Sequence, residues 1–146
     1  MTQNEKDLLM KDLCARLPYG VKLGFYASAT KQTYICTLLG LEPQEDEPVI
    51  AKTENGSFYM LADHVKPYLF PLSSMTEEQY WEMQKLSGED CLEHMEILKN
   101  FRNNTDFSHL PLYEYRVIEF FHKYHFDYRG LIPMGLANDA TGKNIY

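Results

Sequence analysis

The sequence has few cysteines, one tryptophan, no long apolar run and a shortage of positive charge, and each shortage narrows what the chain can be. Its three cysteines, Cys14, Cys36 and Cys91, are an odd number, widely spaced, with no C-x-x-C. That pattern is read as three buried free thiols in a reducing compartment. No apolar stretch approaches the roughly 18 residues a membrane span needs. The first residues, M-T-Q-N-E-K-D, lack a basic region followed by an apolar run, so no signal peptide is expected and the protein should be cytosolic. Lys and Arg number 14 against 21 Asp and Glu, giving a net charge of −7. This balance argues against a general electrostatic grip on nucleic acid or on an anionic membrane. Motifs of catalysis are missing too: there is no G-x-S-x-G, no G-x-x-x-x-G-K-[ST] and no H-E-x-x-H. Internal repeats and low-complexity tracts are likewise absent.

What the chain does have is rings. Eleven Tyr and eight Phe in 146 residues predict a core and an interface built on aromatic side chains. The length fits one domain, 1–146, with sub-regions 1–74 and 75–146.

The order of elements follows from periodicity. Thr2 and Glu5 fit a capping box, and Leu9, Leu13 and Leu17 recur four apart with Met10 and Cys14 beside them, so a helix is predicted from about Gln3 to Arg16. Glu5, Lys6, Lys11 and Asp12 then form its solvated face, and Pro18 with Gly20 ends it. From Val21 the period becomes two. Val21, Leu23 and Phe25 mark a half-buried strand, Ala29–Gln32 a turn, and Thr33–Leu41 a strand whose continuous apolar character predicts burial on both sides. The proline-bracketed P-Q-E-D-E-P, with Glu45 and Asp46, reads as a solvated acidic loop. Two further strands flank Glu54-Asn55-Gly56, where Asn-Gly signals a type I′ hairpin.

The organising stretch is Val65–Met75, V-K-P-Y-L-F-P-L-S-S-M. Pro67 and Pro71 hold it extended and keep it out of the middle of a sheet, so an edge strand or a pinned crossover is expected. Its apolar residues should lock a sheet half to a helical half around one core. Thr76 and Gln79 then fit a second capping box. Helices are predicted over Glu77–Leu86, about Glu89–Arg102 and Leu112–Tyr124, the last facing inward through Leu112, Tyr115, Ile118, Phe120 and Phe121. The tail should fold back as turns and short helical pieces. The fold class is therefore α+β: an N-terminal helix, a small, strongly bent antiparallel sheet or an SH3-like or Sm-like open barrel, and a C-terminal bundle of about three helices.

The runs K-D-L-C-A-R-L-P-Y-G-V-K, V-K-P-Y-L-F-P-L-S-S-M-T-E-E-Q and H-F-D-Y-R-G-L-I-P-M-G-L-A-N-D-A-T-G-K-N-I-Y resemble a set of small uncharacterised proteins of gut Bacteroides and related bacteria, largely from prophage and phage neighbourhoods. The resemblance implies a phage or mobile-element origin and a cytosolic home, and carries over no functional residues.

Chemistry is weighed residue by residue. His122 and His125 with Asp127 are the nearest thing to a metal constellation, but the helix ends there and the neighbours are Phe126 and Tyr128, so no metal site and no cofactor are expected. The binding candidates are Asp127, Tyr128 and Arg129, polar and aromatic residues on an irregular segment, although Arg129 could simply pair with Asp127 or cap the preceding helix. The functional expectation is a non-enzymatic protein-interaction factor that binds a protein partner or itself. The alternative is a nucleic-acid accessory protein that uses Tyr26, Tyr34, Phe58 and Tyr59 as stacking platforms.

Overall fold

The computed structural model describes residues 1–42, 49–86 and 115–146. The acidic loop, the helix expected over Glu89–Arg102, the loop Thr105–Pro111 and the residues Cys91, His94 and His109 lie outside the described residues.

The chain is α+β. Helix α1 (Gln3–Arg16) is followed by strands β1 (Lys22–Ala27), β2 (Gln32–Leu41), β3 (Val49–Thr53), β4 (Gly56–Met60) and β5 (Val65–Leu69). Helices α2 (Glu77–Leu86) and α3 (Tyr115–Lys123) come next, and a two-residue strand β6 (Asn138–Asp139) lies near the end. Thr2 closes a capping box with Glu5 at the start of α1. Thr76 and Gln79 do the same before α2, with bonds of 2.9 and 3.2 Å in the two directions. Two helix starts are thus written locally, in the side chains that satisfy orphan N–H groups.

Among the described residues the sheet has six strands in the order β4-β3-β2-β1-β5-β6, antiparallel except for the parallel β5–β6 pair. Four details depart from expectation. First, β5 is not an edge, because β6 registers against Tyr68 and Leu69. Pro67 is tolerated because β6 covers only the two residues beyond it. Second, the β3–β4 hairpin is not type I′: Gly56 alone has positive φ, at 133°, and Glu54 and Asn55 do not. The Thr53 hydroxyl supports this turn by accepting the Asn55 N–H at 3.2 Å. Third, β2 is buried on one face only, and only from Cys36 onward. Fourth, the tail folds as turns and β6, without helical pieces.

Among the described residues the buried apolar side chains group into two clusters. One joins Leu9 and Leu13 of α1 to Leu23, Cys36, Val49, Ala51 and Leu69 of the sheet and to Leu131 of the tail. The other gathers Leu72, Met75, Met83, Val117, Phe120, Phe121, Phe126 and Tyr128. The junction serves both: Leu69 points into the first, while Leu72 and Met75 sit in the second with Phe70 packed against it. Its backbone also clamps the tail, since the Phe70 N–H donates to the His125 carbonyl and the Asp127 N–H donates to the Phe70 carbonyl. Tyr115, expected to face inward, is exposed, and so is Cys14, expected to be buried; Trp81 on α2 is exposed as well.

The end of α3 is a Schellman motif. The His125 N–H returns to the His122 carbonyl, the Phe126 N–H returns to the Phe121 carbonyl, and His125 takes the left-handed conformation at φ 57°. A glycine usually holds that position. Here stacking of the imidazole on Tyr146, centroids 4.0 Å apart, fixes the residue instead.

Candidate interaction surface

Polar side chains that carry chemistry are turned inward, and α1 is the reason. Asp12 and Arg16, four residues apart on one helix face, are both fully buried. The Asp12 carboxylate accepts from Arg16 Nε at 2.6 Å and Nη2 at 3.2 Å, and from Arg129 Nε at 3.1 Å. Arg16 also donates to the Phe126 carbonyl at 2.7 Å and to the Phe121 carbonyl at 3.4 Å. One guanidinium therefore ties the first helix to the end of α3. Asp12 does not lie on a solvated face, and Arg129 pairs with Asp12 rather than with Asp127 or the helix carbonyls; Arg16 takes the carbonyl role.

The three binding candidates are placed by this network. Asp127 is buried and accepts the N–H groups of Leu131 and Ile132, each at 2.8 Å, which pins the turn after α3. Burial raises its pKa while those two N–H groups pull it down. Tyr128 is buried and its hydroxyl meets His122 Nε2 at 2.7 Å. Burial raises the phenol. Arg129 alone of the three keeps some solvent access, with its guanidinium 4.7 Å from the Tyr128 ring centroid. So Asp127 and Tyr128 build the interior, and only Arg129 reaches the surface.

His122 and His125 do not converge with Asp127 on an ion. The first is committed to Tyr128, the second is stacked on Tyr146, and the Asp127 carboxylate is committed to backbone. Among the described residues no group of three His, Cys, Asp or Glu is placed to hold a metal. Both imidazoles are held neutral, with pKa values lowered to about 4 by burial first and by the Arg16 charge second. Burial likewise pushes the Cys36 thiol up to about 11.

Rings are exposed elsewhere. Strand register divides Tyr26, Tyr34, Phe58 and Tyr59 between two faces. Tyr34 pairs with Phe25 and Phe58 with Ala51, on the core-facing side of the sheet. Tyr26 and Tyr59 alternate with them and lie on the outer side. Burial in β2 begins at Cys36, and burial in β4 is reached only at Met60, so the core-facing side loses its cover toward the turn end. There a cleft of about 420 Å³ opens, lined by Phe25, Tyr34, Phe58, Met60 and Leu61, with Tyr59 at its border and Thr53, Asn55 and His64 as its polar lining. A second cleft, of about 490 Å³, shares Phe25 and His64 and runs past Gly24, Tyr26, Lys66 and Asn138. Gly24 is needed where the tail crosses: a Cβ there would stand 2.8 Å from the Asn138 amide and 3.2 Å from the Tyr68 ring. Asp63 and Lys66 bring both signs of charge to this second cleft, not a basic stripe.

Of the four rings expected from the sequence, Tyr34, Phe58 and Tyr59 line the first cleft and Tyr26 the second, whereas Phe25, Met60, Leu61 and His64 were missed, because pattern alone assigns a face and not the length of its cover. Comparison with protein-family models, with curated proteins and with solved structures finds no match. Among the described residues no helix is long and apolar enough to cross a membrane.

Proposed function

We propose that this chain is a non-enzymatic protein-interaction factor that takes apolar or aromatic side chains of a partner protein in the cleft between β1, β2 and β4. One observation carries the reading: Phe25, Tyr34, Phe58, Met60 and Leu61 line a half-open apolar cleft, while His122, Asp127 and Tyr128 are spent on internal bonds. Concave, mostly apolar sites with few polar groups are the usual form of a recognition pocket. The order β4-β3-β2-β1-β5, with a short 3₁₀ turn over Ala62–His64 before β5, supports an SH3-like or Sm-like arrangement of the first five strands. The third helix of a C-terminal bundle, a cytosolic setting and a phage or mobile-element origin belong to the same proposal.

The test is selection of random peptides against the immobilised full-length protein, followed by chemical-shift mapping of the selected sequences. The reading expects aromatic-containing peptides whose perturbations centre on Phe25, Tyr34, Phe58 and Met60. Perturbations confined to sites away from the cleft would contradict it. The nucleic-acid reading is supported by the exposure of Tyr26, Tyr34, Phe58 and Tyr59, which suits base stacking. Against it stands the charge of −7, and of those rings Tyr26 lies in the second cleft, apart from the other three. Anisotropy of labelled single-stranded DNA and RNA at low salt separates the two: binding at micromolar protein, competing with a selected peptide, would favour nucleic acid.

A further inference from the structure

The two ends of the sheet are finished differently. On the β5 side, β6 covers Tyr68 and Leu69, a parallel bridge joins Phe70 to Phe126, and the Ala140 N–H donates to the Leu69 carbonyl. At the other end β4 pairs with β3 alone, and among the described residues no strand takes its second edge. Among the described residues the N–H and C=O groups along that edge have no strand partner. Proteins ordinarily blunt such an edge with lysine, proline, inward charge or a bulge. Strand β4 reads G-S-F-Y-M, with no charge and no proline, and its pairing with β3 runs without a register break. Phe58 and Tyr59, on opposite faces, are 44% and 58% exposed. The edge is therefore apolar above and below its backbone.

We infer that a second copy of this chain pairs with β4, antiparallel, and continues the sheet across a two-fold axis. The edge is complementary to itself: an antiparallel strand and its own copy exchange identical donors and acceptors, and Phe58 and Tyr59 each keep their face across the join. Because both copies use the same β4 edge, the two-fold contact consumes it and closes at two copies instead of propagating into a filament. The uncharged strand also lets two chains of net charge −7 meet without facing carboxylates at the contact. A five-residue contact is short and belongs with weak, transient interfaces.

Sedimentation velocity of the full chain over roughly 5–500 μM, the range suited to a weak contact of this kind, reads the association directly. The expected result is a mass that rises from the 17.1 kDa monomer toward twice that value. Ser57→Lys puts a charge in the edge strand at a position that lines neither cleft, and should leave the chain monomeric across the range, with a melting temperature lowered only slightly by Lys52 directly opposite. Tyr26→Lys, on the outer side of β1 away from the edge, should associate like the parent. A constant monomer mass in the parent would overturn the inference. So would association of Ser57→Lys at parental strength, or loss of association in Tyr26→Lys, which would assign the contact to the outer face. Phe58 belongs to both the cleft and the edge strand, so peptide mapping is done at the dilute end of this range and repeated on Ser57→Lys, where the cleft is read without the self-contact.

Discussion

Replacing Asp12 by Ala is the sharpest perturbation the structure offers. Asp12 has no exposed surface and accepts three charge-assisted bonds, two from Arg16 and one from Arg129. Without it, Arg16 remains a fully buried cation that, among the described residues, faces the carbonyls of Phe121 and Phe126 and the Tyr128 ring. Removing one partner of a buried pair costs about 3–5 kcal/mol, because the charge left behind is uncompensated. The Arg129 contact is partly exposed and adds at most about 1 kcal/mol. Against a total stability of about 5–15 kcal/mol for a domain, the loss is large. The double variant Asp12→Leu with Arg16→Met separates the causes. It removes both charges, which alone tends to be neutral, but it also strips the donor from two carbonyls, at about 1–3 kcal/mol each if they stay dry. It should therefore recover only part of the loss. Urea unfolding followed by far-UV circular dichroism measures all three proteins. An Asp12→Ala cost below about 1 kcal/mol, with an unchanged m-value, would mean that the network does not hold α1 to the end of α3.

Further outcomes follow from other residues. His122 and His125 titrate near 4 when folded against about 6.5 unfolded. The unfolded chain thus binds more protons between those values, and stability should fall as pH drops from about 6.5 to 4. Asp127, raised by burial, acts in the opposite sense, so the histidine part is isolated by His125→Asn, which keeps a left-handed residue and should flatten the dependence of melting temperature on pH. Leu69→Ala, at a fully buried side chain, should cost about 2–5 kcal/mol in the same urea assay. In a Cys91→Ala background, Ellman's reagent should label exposed Cys14 quickly and Cys36 only on unfolding, since Cys36 is buried with its thiol near 11. Equal labelling rates would refute that placement.

Local chemistry was legible in the sequence, and long-range cover was not. The capping pairs Thr2–Glu5 and Thr76–Gln79 marked the starts of α1 and α2 because both partners lie within four residues. The β3–β4 hairpin was visible at Asn55-Gly56, but its type was not, since the Thr53 hydroxyl supports a turn in which only Gly56 has positive φ. The end of α3 hid its left-handed residue because His125 stands where a glycine is expected, held by a ring 21 residues later in the chain. Asp12 and Arg16 showed the spacing of a helix pair, yet their burial depends on Phe121, Phe126 and Arg129, more than a hundred residues away. The candidate site suffered in the same way. Alternation makes Tyr34 and Phe58 ring-bearing strand residues, but only the register puts them on one face with Phe25.

The account rests on a sheet half and a helical half locked together by Val65–Met75 and by Arg16. Two local reporters test that coupling in one titration. Trp81, the single tryptophan, sits on α2 in the helical half, and Cys36 is buried in the sheet half. Urea unfolding read by Trp81 fluorescence and by pulse labelling of Cys36, in a Cys14→Ser, Cys91→Ala background, should give superimposable transitions with one midpoint. A midpoint for Cys36 clearly separated from that for Trp81 would contradict the coupling and make the chain two small domains joined by a proline-containing linker.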